Sequence, residues 1–398
     1  MNSQQEISIF WFRRDLRLND NAGLYNALKH GKNVLPIFIF DKDILEKLED
    51  KADRRVDFLH QTLSNLQSQL KDLGSDLEVL HGKPIEVYQD LLKNYSVKSV
   101  YTNHDYEPYA RLRDEKIEEF LTEKGVVFRT FKDQCILEKE EVVKDDGKPY
   151  TVYSPYARKW KSKITDFHFN PYPTEKYLDN LLRFSVGEML SLSDIGFKPT
   201  DLSIPSAEFE LNVIKNYHNT RDIPSIDGTS RLSVHLRFGT ISIRELARMA
   251  QKTNEKYLNE LIWRDFYMMI LWHFPEVDKS FKRKYDAIEW ERNEKHFEAW
   301  CTGETGYPIV DAGMRELDAT GWMHNRVRMI VASFFTKHLL LDWRLGEAYF
   351  AKKLIDFELS SNNGGWQWAS GSGCDAAPYF RVFNPDLQTK KFDPDLKY

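Results

Sequence analysis

Cysteine is scarce. Cys135, Cys301 and Cys374 are the only three, far apart and without a C-x-x-C pair. That argues against a disulfide framework or a zinc site, so no metal is expected, and it fits a protein of the reducing cytoplasm. No apolar run is long enough to span a bilayer, and the N-terminus MNSQQEISIFWF lacks the basic start and long apolar stretch of a signal peptide. A membrane or secreted protein is therefore not expected. A net positive charge is lacking too: the formal net charge is −5, so any nucleic acid must be gripped by a local basic patch. Neither G-x-G-x-x-G nor G-x-x-x-x-G-K-[ST] occurs, which argues against ligands held by those phosphate loops.

Tryptophan is what the chain has in excess, and unevenly. Eight of the ten fall between Trp263 and Trp368, with only Trp11 and Trp160 outside. With 398 residues the chain is too long for one compact core, and two domains are the natural expectation. The first part alternates short apolar runs (7–12, 34–40, 77–80, 97–101) with amphipathic stretches (56–73, the segment after Pro84, and a charged helix ending near Gly125). That pattern predicts an α/β domain, a doubly wound, Rossmann-like parallel sheet over 1–133. Ligands of such sheets sit at the carboxyl ends of the strands, which here carry Arg13, Arg14, Asp41 and Asn103–Tyr106; these residues fit solvated loops equally well. Residues 134–204 are proline-rich with weak periodicity and predict a connector on the surface, with a short anchored helix at Tyr153–Trp160. From 205 to 398 the pattern is helical throughout.

Three clusters carry possible chemistry. Thr229, Ser230, Arg231, Leu232 and Ser233 follow Gly228 at the start of a helix, where hydroxyls and backbone N–H groups could cradle a pyrophosphate or simply cap the helix. Glu260, Trp263 and Arg264 share one helix face. They suit a flat, hydrogen-bonding ligand, or a surface ion pair beside a core tryptophan. Asn325, Arg326, Arg328 and Met329 lie within little more than one turn, and Asp356, Glu358, Asn362 and Trp366 repeat the mix further on. Arg328 and Asp356 are plausible buried partners over a ligand.

The blocks FWFRRDLRLNDN, GTSRLS, NELIWRDFY, TGYPIVDAGMRELDATGWMHNRVRM, LLLDWRLGEAYF and NNGGWQWASGSGCDAAPYFRVFNP cover nearly the whole chain. In sequence and order they resemble the DNA photolyase/cryptochrome flavoproteins, most closely the class I photolyases that repair cyclobutane pyrimidine dimers. The resemblance implies an α/β antenna domain followed by a helical domain that binds FAD and DNA. It implies that Tyr217 and the 229–233 loop hold the phosphates and ribose of FAD. Arg328 and Asp356 would pair across its isoalloxazine, Asn362 would face its N5, and Asn325 and Glu358 would also touch the cofactor. The family's D-x-D spacing appears here as Asp356-Phe357-Glu358, one methylene longer at its end.

For the lesion, the resemblance places Glu260, Trp263, Asn325 and Met329 around a flipped-out dimer and Arg221, Arg264, Arg326 and Arg381 on phosphates beside it. It implies repair by light absorption in reduced FAD, electron transfer to the dimer, ring splitting and return of the electron. Trp366, Trp343 and Trp290 match the family's tryptophan chain to the surface. Where folate-binding members carry an Asn-Glu pair, this chain reads Glu107-Pro108-Tyr109-Ala110. Folate is therefore disfavoured as a second, antenna chromophore, leaving a deazaflavin, another flavin or none. The partner implied is DNA containing cyclobutane pyrimidine dimers, bound by a monomer. A cryptochrome-type photoreceptor using the same FAD without repair is the alternative. Members of the family usually continue past the position of Tyr398, so a longer native chain is expected.

Overall fold

A computed structural model describes residues 5–201, 203–376 and 378–398. The N-terminal part is a five-stranded parallel sheet: β1 (Glu6–Phe12), β2 (Val34–Asp41), β3 (Glu78–Gly82), β4 (Ser96–Asn103) and β5 (Val127–Phe131), in the order β3-β2-β1-β4-β5. Between them run α1 (Ala22–His30), α2 (Lys42–Leu45), α3 (Arg54–Asp72), α4 (Pro84–Asn94) and α5 (Pro108–Glu123). The strands follow from their apolar continuity. All of β2 and all but the first residue of β1 are buried, as parallel strands covered on both faces must be. Alternation then divides the core. Phe10, Phe12, Val34, Phe38 and Phe40 face one apolar cluster, while Ile7, Ile9, Trp11, Leu35, Ile37 and Ile39 face the other.

Three elements of this half have no counterpart in the sequence reading: α1, the four-residue α2 and β5. Helix α1 contains Gly23 and Asn26, which weaken helix propensity. It forms because Asn21 caps it by accepting from Leu24 N, and because Gly23 lets the helix approach the sheet. A Cβ on Gly23 would lie 2.8 Å from Asn103 Oδ1 and from Phe10. Strand β5 is a largely exposed edge, so its sequence lacks the apolar run that marks the others.

The crevice between β1 and β4, where the strand order reverses and where such sheets bind ligands, is filled by the chain's own charges. Arg13 donates to the Asn103 carbonyl and is bridged to Asp114 at 2.7 Å. Asn103 donates to Asp15, whose carboxyl burial pushes up to about 6. Arg17 and Arg244 both grip Asp133, at 2.7 and 2.8 Å; burial works against that carboxylate, and the two guanidiniums hold it below its ordinary range.

Beyond the sheet the elements are helical: α6 (Tyr153–Lys163), α7 (Leu211–Thr220), α8 (Ser233–Phe238), α9 (Ile243–Thr253), α10 (Glu255–His273), α11 (Glu294–Thr302), α12 (Pro308–Thr320), α13 (Asn325–Lys337), α14 (Trp343–Lys353), α15 (Leu359–Ser370) and α16 (Pro385–Phe392). The chain divides into two compact units. One comprises residues 1–136, 166–207 and 235–246, the other 137–165, 208–234 and 247–398. The proline-rich segment is thus shared between them, and parts of it are buried. Trp160 is buried and donates to Asp265 at 3.0 Å, and Leu137 N donates to the same carboxylate at 3.1 Å. Among the described residues no helix is long and apolar enough to cross a membrane.

Candidate functional site

A cavity of about 430 Å³ opens in the helical unit. Helix α10 supplies one wall with Glu260, Trp263, Arg264 and Tyr267, which recur at helical spacing. Helix α13 supplies Asn325, Arg326, Arg328 and Met329; its first turn is fixed by His324, whose Nδ1 accepts from Arg326 N at 3.1 Å. Helix α15 and the turn before it supply Asp356, Phe357, Glu358, Ser361, Asn362, Gly365 and Trp366. The opposite face of α15 does other work. Asn363 donates to the Val277 carbonyl at 2.9 Å, while Gln367 donates to Lys279 O at 3.2 Å and accepts from Phe281 N at 2.7 Å. One helix therefore walls the cavity and anchors the 277–281 loop from neighbouring positions.

Several polar groups of the cavity are paired, some with one another and some with groups behind its wall. Arg328 bridges to Asp356 at 2.9 Å, and the aspartate side chain is 3% exposed. Glu260 is bridged to Arg221. Burial raises its carboxyl above the ordinary range, against the pull of that guanidinium. Arg326 is bridged to Asp222 at 2.5 Å and lies over the Phe392 ring. Asn362 donates its amide to Glu347, on α14. Trp263 is stacked on Tyr153, ring centroids 3.6 Å apart and planes 5° from parallel, so one face of the indole is already covered.

Arg264 differs from expectation. The resemblance implies a DNA phosphate for it, but its side chain is 10% exposed and paired at 2.9 Å with Glu358, itself 7% exposed. The physical reason is the longer Glu358 side chain, which also accepts from Ser361 Oγ at 3.2 Å and offers the guanidinium a buried carboxylate. The extra methylene of the Asp356-Phe357-Glu358 stretch thus has a use inside the protein.

The 229–233 loop does not line this cavity. Ser230 Oγ is 2.7 Å from Tyr257 OH, Tyr257 meets Tyr217 edge-on at 5.0 Å, and Arg221 lies over the Tyr217 ring at 5.3 Å. The loop is therefore tied to the cavity wall through Arg221. Thr229 is half-buried, Ser233 is exposed and Leu232 is buried. Arg231 has φ +50°, lies over Trp322 at 4.6 Å and pairs with Asp227 at 3.4 Å. The helix that starts at Ser233 is only six residues long, too short for much of a dipole.

Trp366 lines the cavity and belongs with buried Trp343 to one apolar cluster, against which half-buried Trp290 packs. Sequence reasoning missed fully buried Trp300, whose ring meets that of Trp366 at 5.9 Å. It also missed Tyr153, Asp222 and Glu347. Tyr153 had a signal, lying in the YSPYARKW block read only as a helix; the others had none. Arg381 is exposed and lies outside the cavity.

The size and lining suit a flat, partly apolar ligand oriented by a few polar groups. A Cβ built on Gly365 would meet nothing within 4 Å, so that glycine keeps cavity space open.

The family model described as the FAD binding domain of DNA photolyase matches residues 257–398, and that described as DNA photolyase matches residues 8–176. The deoxyribodipyrimidine photo-lyase of Halobacterium salinarum is 39% identical over 98% of this chain and 88% of its own length. The crystal structure of a class III photolyase from Agrobacterium tumefaciens is 35% identical, with a TM-score of 0.89 over 100% of this chain and 86% of that one. A cryptochrome from Synechocystis is 26% identical, with a TM-score of 0.85 over 99% of this chain and 88% of that one. Because one of these structures is of class III, the likeness does not single out class I.

Proposed function

The chain belongs to the DNA photolyase family, and on that premise we propose that it repairs cyclobutane pyrimidine dimers in DNA with light, using FAD. One observation carries this reading. The residues assigned to the lesion (Glu260, Trp263, Asn325, Met329) and those assigned to the flavin ring (Arg328, Asp356, Asn362) line a single cavity. Bound FAD supplies the light absorption and the electron; the protein positions and protects.

A dimer reaches such a cavity only when flipped from the helix. That costs a few kcal/mol, less at a damaged step. The free face of Trp263 receives its apolar side, since Tyr153 holds the other face. Asn325 stands exposed at the mouth, where its amide can meet a pyrimidine edge. Glu260, fixed by Arg221, presents a preorganised polar group to the charge that develops on the dimer. Arg326 and Arg221 line the cavity, partly exposed, and Arg381 is exposed; these three are the arginines left for phosphates. Arg328 and Asp356 neutralise each other in the cavity wall, and Trp366, Trp343 and Trp290 offer an oxidisable path outward through the apolar cluster.

The test is direct. Purified protein should show a flavin spectrum, and under reducing conditions light should remove dimers from an oligonucleotide while darkness does not. A colourless protein would end the proposal. The likeness to a cryptochrome makes photoreception without repair the second reading, and a flavin-loaded protein that leaves dimers intact would establish it.

A further inference from the structure

Two of the arginines left for phosphates already hold carboxylates. Arg221 is bridged to Glu260, and Arg326 donates to Asp222 Oδ1 through Nε at 3.2 Å and Nη2 at 2.5 Å. Nε and Nη2 form the edge of a guanidinium that grips carboxylates and phosphates alike. Asp222 therefore covers the part of Arg326 that a DNA phosphate needs. The remaining nitrogen, Nη1, faces the Met329 sulfur at 3.6 Å, a weak acceptor.

The two partners are not equally free to move. The Arg326 side chain is 17% exposed, lies over the Phe392 ring at 4.3 Å and rises from the first turn of α13, which His324 caps. The Asp222 side chain is 43% exposed, so water can take over its carboxylate when it lets go. It also stands just past the end of α7, where the helix dipole disfavours an anion.

We propose that Asp222 is a stand-in for phosphate: in the free protein its carboxylate occupies the edge of Arg326 that a DNA phosphate takes in the complex. This rests on the reading that puts Arg326 on a phosphate beside the lesion. Binding is then an exchange of one anion for another on a guanidinium that stays where it is, with no covalent bond changed. Asp222 consequently weakens the hold on DNA and cancels one of the positive charges that would displace counterions from the duplex.

The measurement is the affinity of the flavin-loaded protein for a duplex carrying one cyclobutane dimer, by fluorescence anisotropy in the dark at several salt concentrations. Wild type, Asp222→Asn, Arg326→Gln and the double variant are compared. Asp222→Asn should bind about fivefold tighter at low salt, the upper end of what a partly exposed ion pair is worth. Its salt slope should be steeper by about 0.9, the equivalent of one phosphate contact. In the Arg326→Gln background the same change should gain almost nothing. If Arg326→Gln loses affinity but Asp222→Asn does not gain it, the role of Asp222 is refuted alone. An equal gain with and without Arg326 would also refute it, because any removed negative charge would then do the same. If Arg326→Gln keeps full affinity, the placement of Arg326 on a phosphate has failed, and the stand-in with it. Asparagine can still accept from Arg326, so Asp222→Ala is measured beside it, and where the two differ Asp222→Ala decides.

Discussion

Lowering the pH from neutrality toward about 4 should loosen the start of α13 through one imidazole. His324 is 1% exposed and caps the helix with Nδ1, the lone pair accepting from Arg326 N at 3.1 Å. Burial, and after it the guanidiniums of Arg326, Arg328 and Arg221 acting against the carboxylate of Asp222, bring its pKa down to about 4. In the unfolded chain the same group titrates near 6.5. The sign follows. Between those values the unfolded state binds the proton and the native state does not, so the contribution is complete above pH ~6.5 and disappears as pH falls through about 4. At about 1.4 kcal/mol per unit, the span is worth about 3 kcal/mol. Protonation removes the capping lone pair and puts a cation among three arginines. Urea unfolding of wild type and His324→Asn, at neutral pH and near pH 4, checks this. Asparagine can cap without titrating, so the variant should lose less stability on acidification, by about 3 kcal/mol. Equal acid losses in the two proteins would refute the reasoning.

Arg328→Met leaves the buried Asp356 carboxylate without its counter-charge and should cost about 3–5 kcal/mol in denaturant unfolding. Arg328→Met with Asp356→Leu should recover most of that loss, and equal losses would contradict it. Glu260→Ala should lower the quantum yield of repair tenfold or more, by order of magnitude, while dimer-DNA affinity measured by fluorescence anisotropy survives. Trp290→Phe should block photoreduction of oxidised flavin yet leave repair by pre-reduced protein intact; loss of both would make the residue merely structural. Affinity for damaged DNA should fall steeply as salt rises, and a flat response would remove Arg221, Arg326 and Arg381 from the phosphates.

Legibility in the sequence followed from how much of each signal is local. Strands β1 and β2 are near-continuous apolar runs because both faces are buried, so they could be read directly. Strand β5 could not, being an exposed edge, nor could α1, whose glycine makes sense only beside Asn103. In the site, Glu260, Trp263 and Arg264 share a helix face in the sequence as in the fold, yet Arg264 turns inward because Glu358 waits there from another part of the chain. The Trp263–Tyr153 stack and the Arg326–Asp222 bridge join distant segments, and periodicity carries no word of such pairings. The opposite charges of Arg328 and Asp356 could be matched in advance because a lone buried charge is too costly to keep.

The two consecutive asparagines of α15 look interchangeable on the page, but they are not spares. Asn362 turns toward the cavity and Asn363 toward the 277–281 loop. Each neighbour is served by only one of them. A single-residue insertion or deletion upstream in that helix would rotate the whole segment by about 100°, putting one asparagine in the other's place and the second in neither. This stretch should tolerate almost no change of length.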